Sequence, residues 1–198
     1  MDIITLSHKH TKTYIIKKQD KCLMFDAGWT TSYNDYLSIM KENFIKLTDI
    51  EYLAVSHFHI DHAGLVQVLK NYGVKFLVLE SQLSGIKQIN AFFNKKPDKK
   101  YVTIKETGNI IVNPKQSRDL LKKLGFDGEL IETKHHSLDS ATLILDNQYA
   151  FIGDLSPFEY TEFASCDDTL KDNWRDIMEY NVKTIYPAHA PTFSLLNK

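Results

Sequence analysis

Residues 56 to 64 read Ser-His-Phe-His-Ile-Asp-His-Ala-Gly and bring His57, His59, Asp61 and His62 close together along the chain. Imidazole nitrogen and carboxylate oxygen are donors that zinc accepts, and a catalytic zinc site keeps one position open for water. Other candidate donors are scattered but share a placement. Asp26 closes the apolar run CLMFD, His136 follows ELIETKH, Asp154 closes YAFIGD and His189 closes TIYPAH. In layered α/β folds sites assemble at the carboxyl ends of strands, so several strands can deliver these groups to one rim.

His57, His59, Asp61, His62, His136 and His189, with Asp154 able to bridge through its two oxygens, are enough for two ions. Paired metal sites, about 3.5–4 Å apart, polarise a scissile group and generate a nucleophile near neutral pH. His57 and His59, two apart on an extended turn, can face one ion, while Asp61 and His62 face the other. A ligating histidine needs its second nitrogen anchored, and Asp26 is the candidate for that scaffold role.

The elements that must hold these groups are legible as apolar runs. Strands are expected at 13–18, 21–28, 51–57, 74–80, 128–133, 141–147, 149–154 and 182–189. Helical spacing appears in NDYLSIMKENFIKL, SRDLLKKLG and TLKDNWRDIMEY. It appears again in DHAGLVQVLKNYG, where Asp61 is placed to cap the start and Gly73 to stop the helix. The alternation argues for an α/β layered domain, with a βαβ unit from residue 51 to 80 and hairpins at 13–28 and 141–154 that make the sheets mixed. The lysine-rich stretch 94–100 reads as a solvated surface loop.

The chain has 198 residues, enough for one well-cored domain spanning 1–198. Its 43 % hydrophobic and 25 % charged content are those of an ordinary globular protein. The formal net charge of −1 gives no electrostatic reason to expect nucleic acid or an anionic membrane as partner. Arg118 and Arg175 are the only arginines, which leaves little material for bidentate phosphate recognition. Cys22 and Cys166 form no CxxC pair, the start carries no basic and apolar leader, and no run approaches a membrane span. A cytoplasmic protein acting on a small molecule is the expectation.

Taken in order, MFDAG, SHFHIDHAG, TKHHSLDS, FIGDL and YPAHA resemble the motifs of the metallo-β-lactamase superfamily, from about residue 3 to 193. The resemblance implies a four-layer αββα sandwich with mixed sheets and a metal pair at the sheet edge. It implies His57, His59 and His136 as ligands of the first ion, Asp61, His62 and His189 of the second, Asp154 as the bridging carboxylate and Asp26 as a structural aspartate. A metal-bound hydroxide would attack the substrate, with Asp61 as the catalytic residue that orients it or takes its proton. Zinc suits these donors, and manganese or iron can occupy similar ones.

Some positions depart from the family pattern. Lys134-His135-His136 stands where many members have Pro-Gly-His, so His135 competes with His136, and the rhythm HSLDS favours His136. The fourth motif carries Asp154 and not the cysteine of one secreted β-lactam-cleaving class. Redox di-iron members have a carboxylate where His59 stands, so the chain looks hydrolytic.

His8-x-His10 reads as a structural or exposed pair. Lys12, Trp29, Phe158 and Tyr160 lie where they can border the site, although loop aromatics more commonly pack. The expected function is a binuclear zinc hydrolase of a small ester, thioester or lactone. The rival expectations are a phosphodiesterase or ribonuclease on the same site and a non-catalytic metal-binding module.

Overall fold

The structure is a computed structural model that describes residues 1–163 and 167–195. Cys166 lies outside the described residues. Among the described residues, eleven strands and five α-helices follow one another as β1 (Asp2–His8), β2 (Thr11–Lys18), β3 (Lys21–Phe25), α1 (Tyr33–Glu42), β4 (Tyr52–Ala54), α2 (Val66–Asn71), β5 (Lys75–Leu79), α3 (Leu83–Lys95), β6 (Ile110–Val112), α4 (Pro114–Lys123), β7 (Gly128–Glu132), β8 (Ala141–Leu145), β9 (Tyr149–Gly153), α5 (Asp168–Met178), β10 (Thr184–Pro187) and β11 (Phe193–Ser194).

One sheet has the order β1-β2-β3-β4-β5-β6 and the other β11-β10-β9-β8-β7. Both are mixed: β2 and β3 pair antiparallel while β4 and β5 pair parallel, and β8–β9 is antiparallel while β9–β10 is parallel. The layering follows from side-chain alternation along the strands. Ile16, Leu23, Ala54 and Leu77 of the first sheet share an apolar cluster with Leu130, Leu143 and Phe151 of the second, which is the core between the sheets. Their neighbours Ile15, Met24, Leu53 and Val78 point the other way and pack with Tyr36, Leu69 and Ile86 from α1, α2 and α3. On the far side, Ile144, Ala150 and Ile185 pack with Leu170, Trp174 and Ile177 of α5. The result is the expected αββα sandwich.

Several boundaries differ from the sequence reading. The expected strand 51–57 pairs only over Tyr52–Ala54, because Ser56 and His57 leave the sheet to face the site. Helix α2 begins at Val66, and Asp61 does not cap it: the N-cap is Leu65, with no side-chain capping bond. Residues 61–65 are instead turns held against the chain after β3, with Ala27 N–H donating to His62 O at 2.6 Å and Gly64 N–H to Gly28 O at 2.8 Å. Gly73 ends the helix as expected, at a positive φ of 93°. Strand β1, helix α3 and the short β6 and β11 were not anticipated. The polar residues interspersed in β1 and α3 obscured their periodicity.

Candidate metal centre

The strand ends converge as the sequence suggested. Asp26 follows β3, the His57–His62 turn follows β4, His136 follows β7, Asp154 follows β9 and His189 follows β10. Their donor atoms fall into two groups, each within 4.8 Å: His57, His59, His136 and Asp154, and then Asp61, His62 and His189. His57 and His62 are buried, Asp61 and Asp154 half-buried, and His59, His136 and His189 exposed, so the cluster is enclosed below and open above.

Asp154 joins the two groups. Its Oδ2 lies 3.5 Å from His136 Nε2 and 3.9 Å from His57 Nε2, while its Oδ1 lies 3.1 Å from His189 Nε2 and 3.2 Å from His62 Nε2. Asp61 Oδ2 lies 3.2 Å from His189 Nε2 and 3.4 Å from His62 Nε2. His59 Nδ1 and His136 Nε2 are 3.2 Å apart.

The opposite edges of three of the rings are anchored. His62 Nδ1 donates to Asp26 Oδ2 at 2.9 Å, His57 Nδ1 lies 3.0 Å from Ser56 Oγ, and His189 Nδ1 donates to the His10 carbonyl at 2.8 Å. Each contact leaves Nε2 directed into the cluster, the arrangement in which a histidine is prepared to ligate. Thr11 Oγ donates to Asp61 Oδ2 at 3.0 Å and receives the indole N–H of Trp29 at 3.1 Å. The β1–β2 turn therefore positions His189, and the first residue of β2 positions Asp61.

Burial holds the His57 imidazole well below its ordinary pKa, with the charge on His62 acting in the same direction. Burial also opposes a charge on His62, but Asp26, Asp154 and Asp61 together push it well above the ordinary value. His189, facing Asp154 and Asp61, is pushed up to about 10. Burial disfavours the ionised forms of Asp61 and Asp154, yet His189 and His62 hold both well below the usual carboxylate range. The acids thus demand positive charge beside them.

Divalent cations fit this donor set. Four buried side-chain atoms have no hydrogen-bond partner among the described residues, and three of them, His57 Nε2, His62 Nε2 and Asp154 Oδ1, belong to the donor groups, the fourth being His135 Nδ1. Buried polar atoms without partners are costly and call for an explanation, which a coordinated ion supplies.

Of the other candidates, His135 joins neither donor group, and its backbone N–H donates to Asn173 Oδ1 at 3.0 Å. His8 is a structural residue, hydrogen-bonded to Asp35 and 2.9 Å from Thr31 Oγ, while His10 contributes its carbonyl to His189. Lys12 donates to the Ala190 carbonyl, Phe158 packs on Trp174, and Tyr160 is exposed beside Phe163. Trp29 borders a cavity that His59 and Asp61 also line.

Three supporting residues escaped the sequence reading. Asp139, within HSLDS, accepts the Phe58 N–H at 2.8 Å and so fixes the turn between His57 and His59. Buried Gln82 donates to the carbonyls of Val55 at 3.0 Å, Ser56 at 3.2 Å and Asp139 at 3.0 Å. Thr11 is the third. Only Asp139 had a sequence signal, its place in a motif.

A family model described as the metallo-beta-lactamase superfamily matches residues 8–189. Similar solved structures include a metallo-beta-lactamase with a HARLDQ motif from Cronobacter sakazakii, at a TM-score of 0.71 and 14 % identity over 93 % of this chain and 76 % of that one. An archaeal superfamily protein from Sulfolobus tokodaii has a TM-score of 0.63 and 21 % identity over 93 % and 76 % of the two chains. A family protein from Thermus thermophilus has a TM-score of 0.71 and 14 % identity over 98 % and 74 %. At these identities the structures speak for the fold, and the family match spans nearly the whole chain. The chain belongs to the metallo-beta-lactamase superfamily.

Proposed function

We propose that the protein is a metal-dependent hydrolase that holds two divalent cations, zinc by preference, and cleaves a small ester, thioester or lactone. The observation that carries this reading is the placement of Asp154, whose two oxygens face two separate groups of histidines. His57, His59 and His136 would hold one ion and Asp61, His62 and His189 the other, with Asp154 facing both groups. When bound, such a pair supplies Lewis acidity and a water of lowered pKa.

The chain's own residues do the positioning. Asp26, Ser56 and the His10 carbonyl fix three imidazoles with Nε2 inward. Asp61, steadied by the Thr11 hydroxyl, accepts a hydrogen bond from the attacking water and orients it. Exposed His59, His136 and His189 leave one side of the centre open to substrate.

The test is a matched panel of a carboxyl ester, lactones, a thioester, a β-lactam and phosphodiesters, assayed with zinc-reconstituted protein and with Asp154→Ala. Metal-dependent turnover of a carbonyl substrate that is lost in the variant is expected. Turnover confined to phosphodiesters would replace this reading with nucleotide chemistry, and a metal-free Asp154→Ala protein of full activity would end it.

A further inference from the structure

Beside the metal cluster lies a cavity of about 570 Å³, within the range of small-molecule sites. His59 and Asp61 line it, so it is continuous with the donor groups. Its remaining lining is Trp29, Phe58, Ile60, Ile89, Phe92 and the uncharged Gln88. Apart from the site's own Asp61, no charged side chain is among its described lining residues. Lys9 and Lys96 hold their ammonium groups 4.4 Å from the Trp29 ring and 5.6 Å from the Phe92 ring, and neither lines the cavity.

A second cavity of about 310 Å³ adjoins His136, Asp154 and His189, and Ile152, Leu155 and Phe193 contribute to its lining. Its described lining residues likewise include no lysine or arginine. Away from the histidines of the metal cluster, a substrate carrying a phosphate or a carboxylate would find no lysine or arginine among the described lining of either cavity, and burying such a group unpaired is costly.

Taking the hydrolase reading as given, we propose that the larger cavity is the specificity site, and that it receives an uncharged apolar chain of a carbonyl substrate. Phe92 and Ile89 lie on α3, which also packs Ile86 into the helix–sheet core. One wall of the cavity is thus a regular element and not a loop. The half-exposed Phe92, at 39 %, is apolar surface that an apolar ligand would cover.

The test pairs binding with turnover. Zinc-loaded protein is titrated with acetamide, butanamide, hexanamide and octanamide, followed by tryptophan fluorescence, and the p-nitrophenyl esters of the same acids are assayed in parallel. Kd should fall by about fourfold per added methylene, the equivalent of ~0.8 kcal/mol, until the cavity is full. Hexanamide bearing a terminal carboxylate or ammonium should bind more weakly than hexanamide itself. Phe92→Asp should flatten the amide series, and Phe92→Leu should keep most of it, with zinc content unchanged in both.

A flat amide series in the parent protein, or preference for a charged chain end, would overturn the assignment. Ester hydrolysis with no dependence on chain length would remove the cavity's role while leaving the hydrolase reading intact. A graded amide series with no ester turnover would uphold the cavity and remove the hydrolase reading.

Discussion

Asp26 Oδ2 lies 2.9 Å from Nδ1 of the buried His62, and the same carboxylate accepts the Ser56 backbone N–H at 2.6 Å. One acid therefore fixes a ring of the second donor group and the strand end that leads into the first. Asp26 sits at a positive φ of 67°, directly after β3, where the chain turns beneath the site.

Asp26→Asn tests this relationship with little change in volume. An asparagine still accepts from Ser56 through Oδ1, but it offers N–H to His62 Nδ1. His62 must then carry its proton on Nε2, the nitrogen that faces Asp61 and Asp154, and cannot ligate through it. Zinc affinity at the second position should fall 10- to 100-fold, as expected for loss of an anchoring carboxylate. Titration against a competing chelator reads this directly, and an unaltered second binding step would remove Asp26 from the role.

Metal binding should also register as stability. Ligand that binds only the folded state at 100 times its Kd contributes ~2.7 kcal/mol. For a chain of this size that corresponds to a rise in Tm of roughly 5–10 °C. Calorimetry of chelated and zinc-reconstituted protein should show such a rise, and Asp154→Asn should diminish it. Identical melting curves with and without zinc would argue that the cluster holds no ion tightly.

Gly64 is a case where close backbone approach demands glycine. A Cβ there would lie 2.5 Å from Thr30 N, 2.6 Å from Gly28 O and 2.7 Å from the Trp29 carbonyl carbon. Gly64→Ala must push the 61–65 turn away from the chain that carries Trp29, at a cost of about 1–3 kcal/mol. A lower urea midpoint with an unchanged m-value is expected. A variant as stable as the parent would show that the two segments part easily.

The metal-type donors were legible because their chemistry is rare and their spacing tight. His57, His59, Asp61, His62, His136, Asp154 and His189 could all be named from residue type and from their position after apolar runs, and the structure brings all seven together. The sandwich was legible because strands buried on both faces read as continuous apolar runs. Asp26 was legible among the supports, but the others were not. Gln82 and Thr11 act through contacts between residues far apart in sequence, and nothing local distinguishes either from an ordinary polar residue. Asp61 misled the helix boundary because the residue type that caps helices also ligates metals, and here the site competes for the side chain.

At alkaline pH the fold should weaken through groups remote from the metal cluster. Burial pushes the Cys22 thiol from 9.0 up to about 11 and the Tyr101 phenol from 10.0 up to about 12. Both are acids whose neutral form the folded state prefers, so their folded pKa values lie above the unfolded ones. Their contribution is complete below the unfolded values and is lost as pH rises through the window from about 9 to about 12. Urea midpoints measured from pH 8 to 11 should fall across that window. Cys22→Ala should flatten the part of the decline between 9 and 11, because the variant has no thiolate to release, even though loss of the buried sulfur lowers the whole curve. A Cys22→Ala protein whose midpoint declines in parallel with the parent's would show that the thiol does not govern this limb.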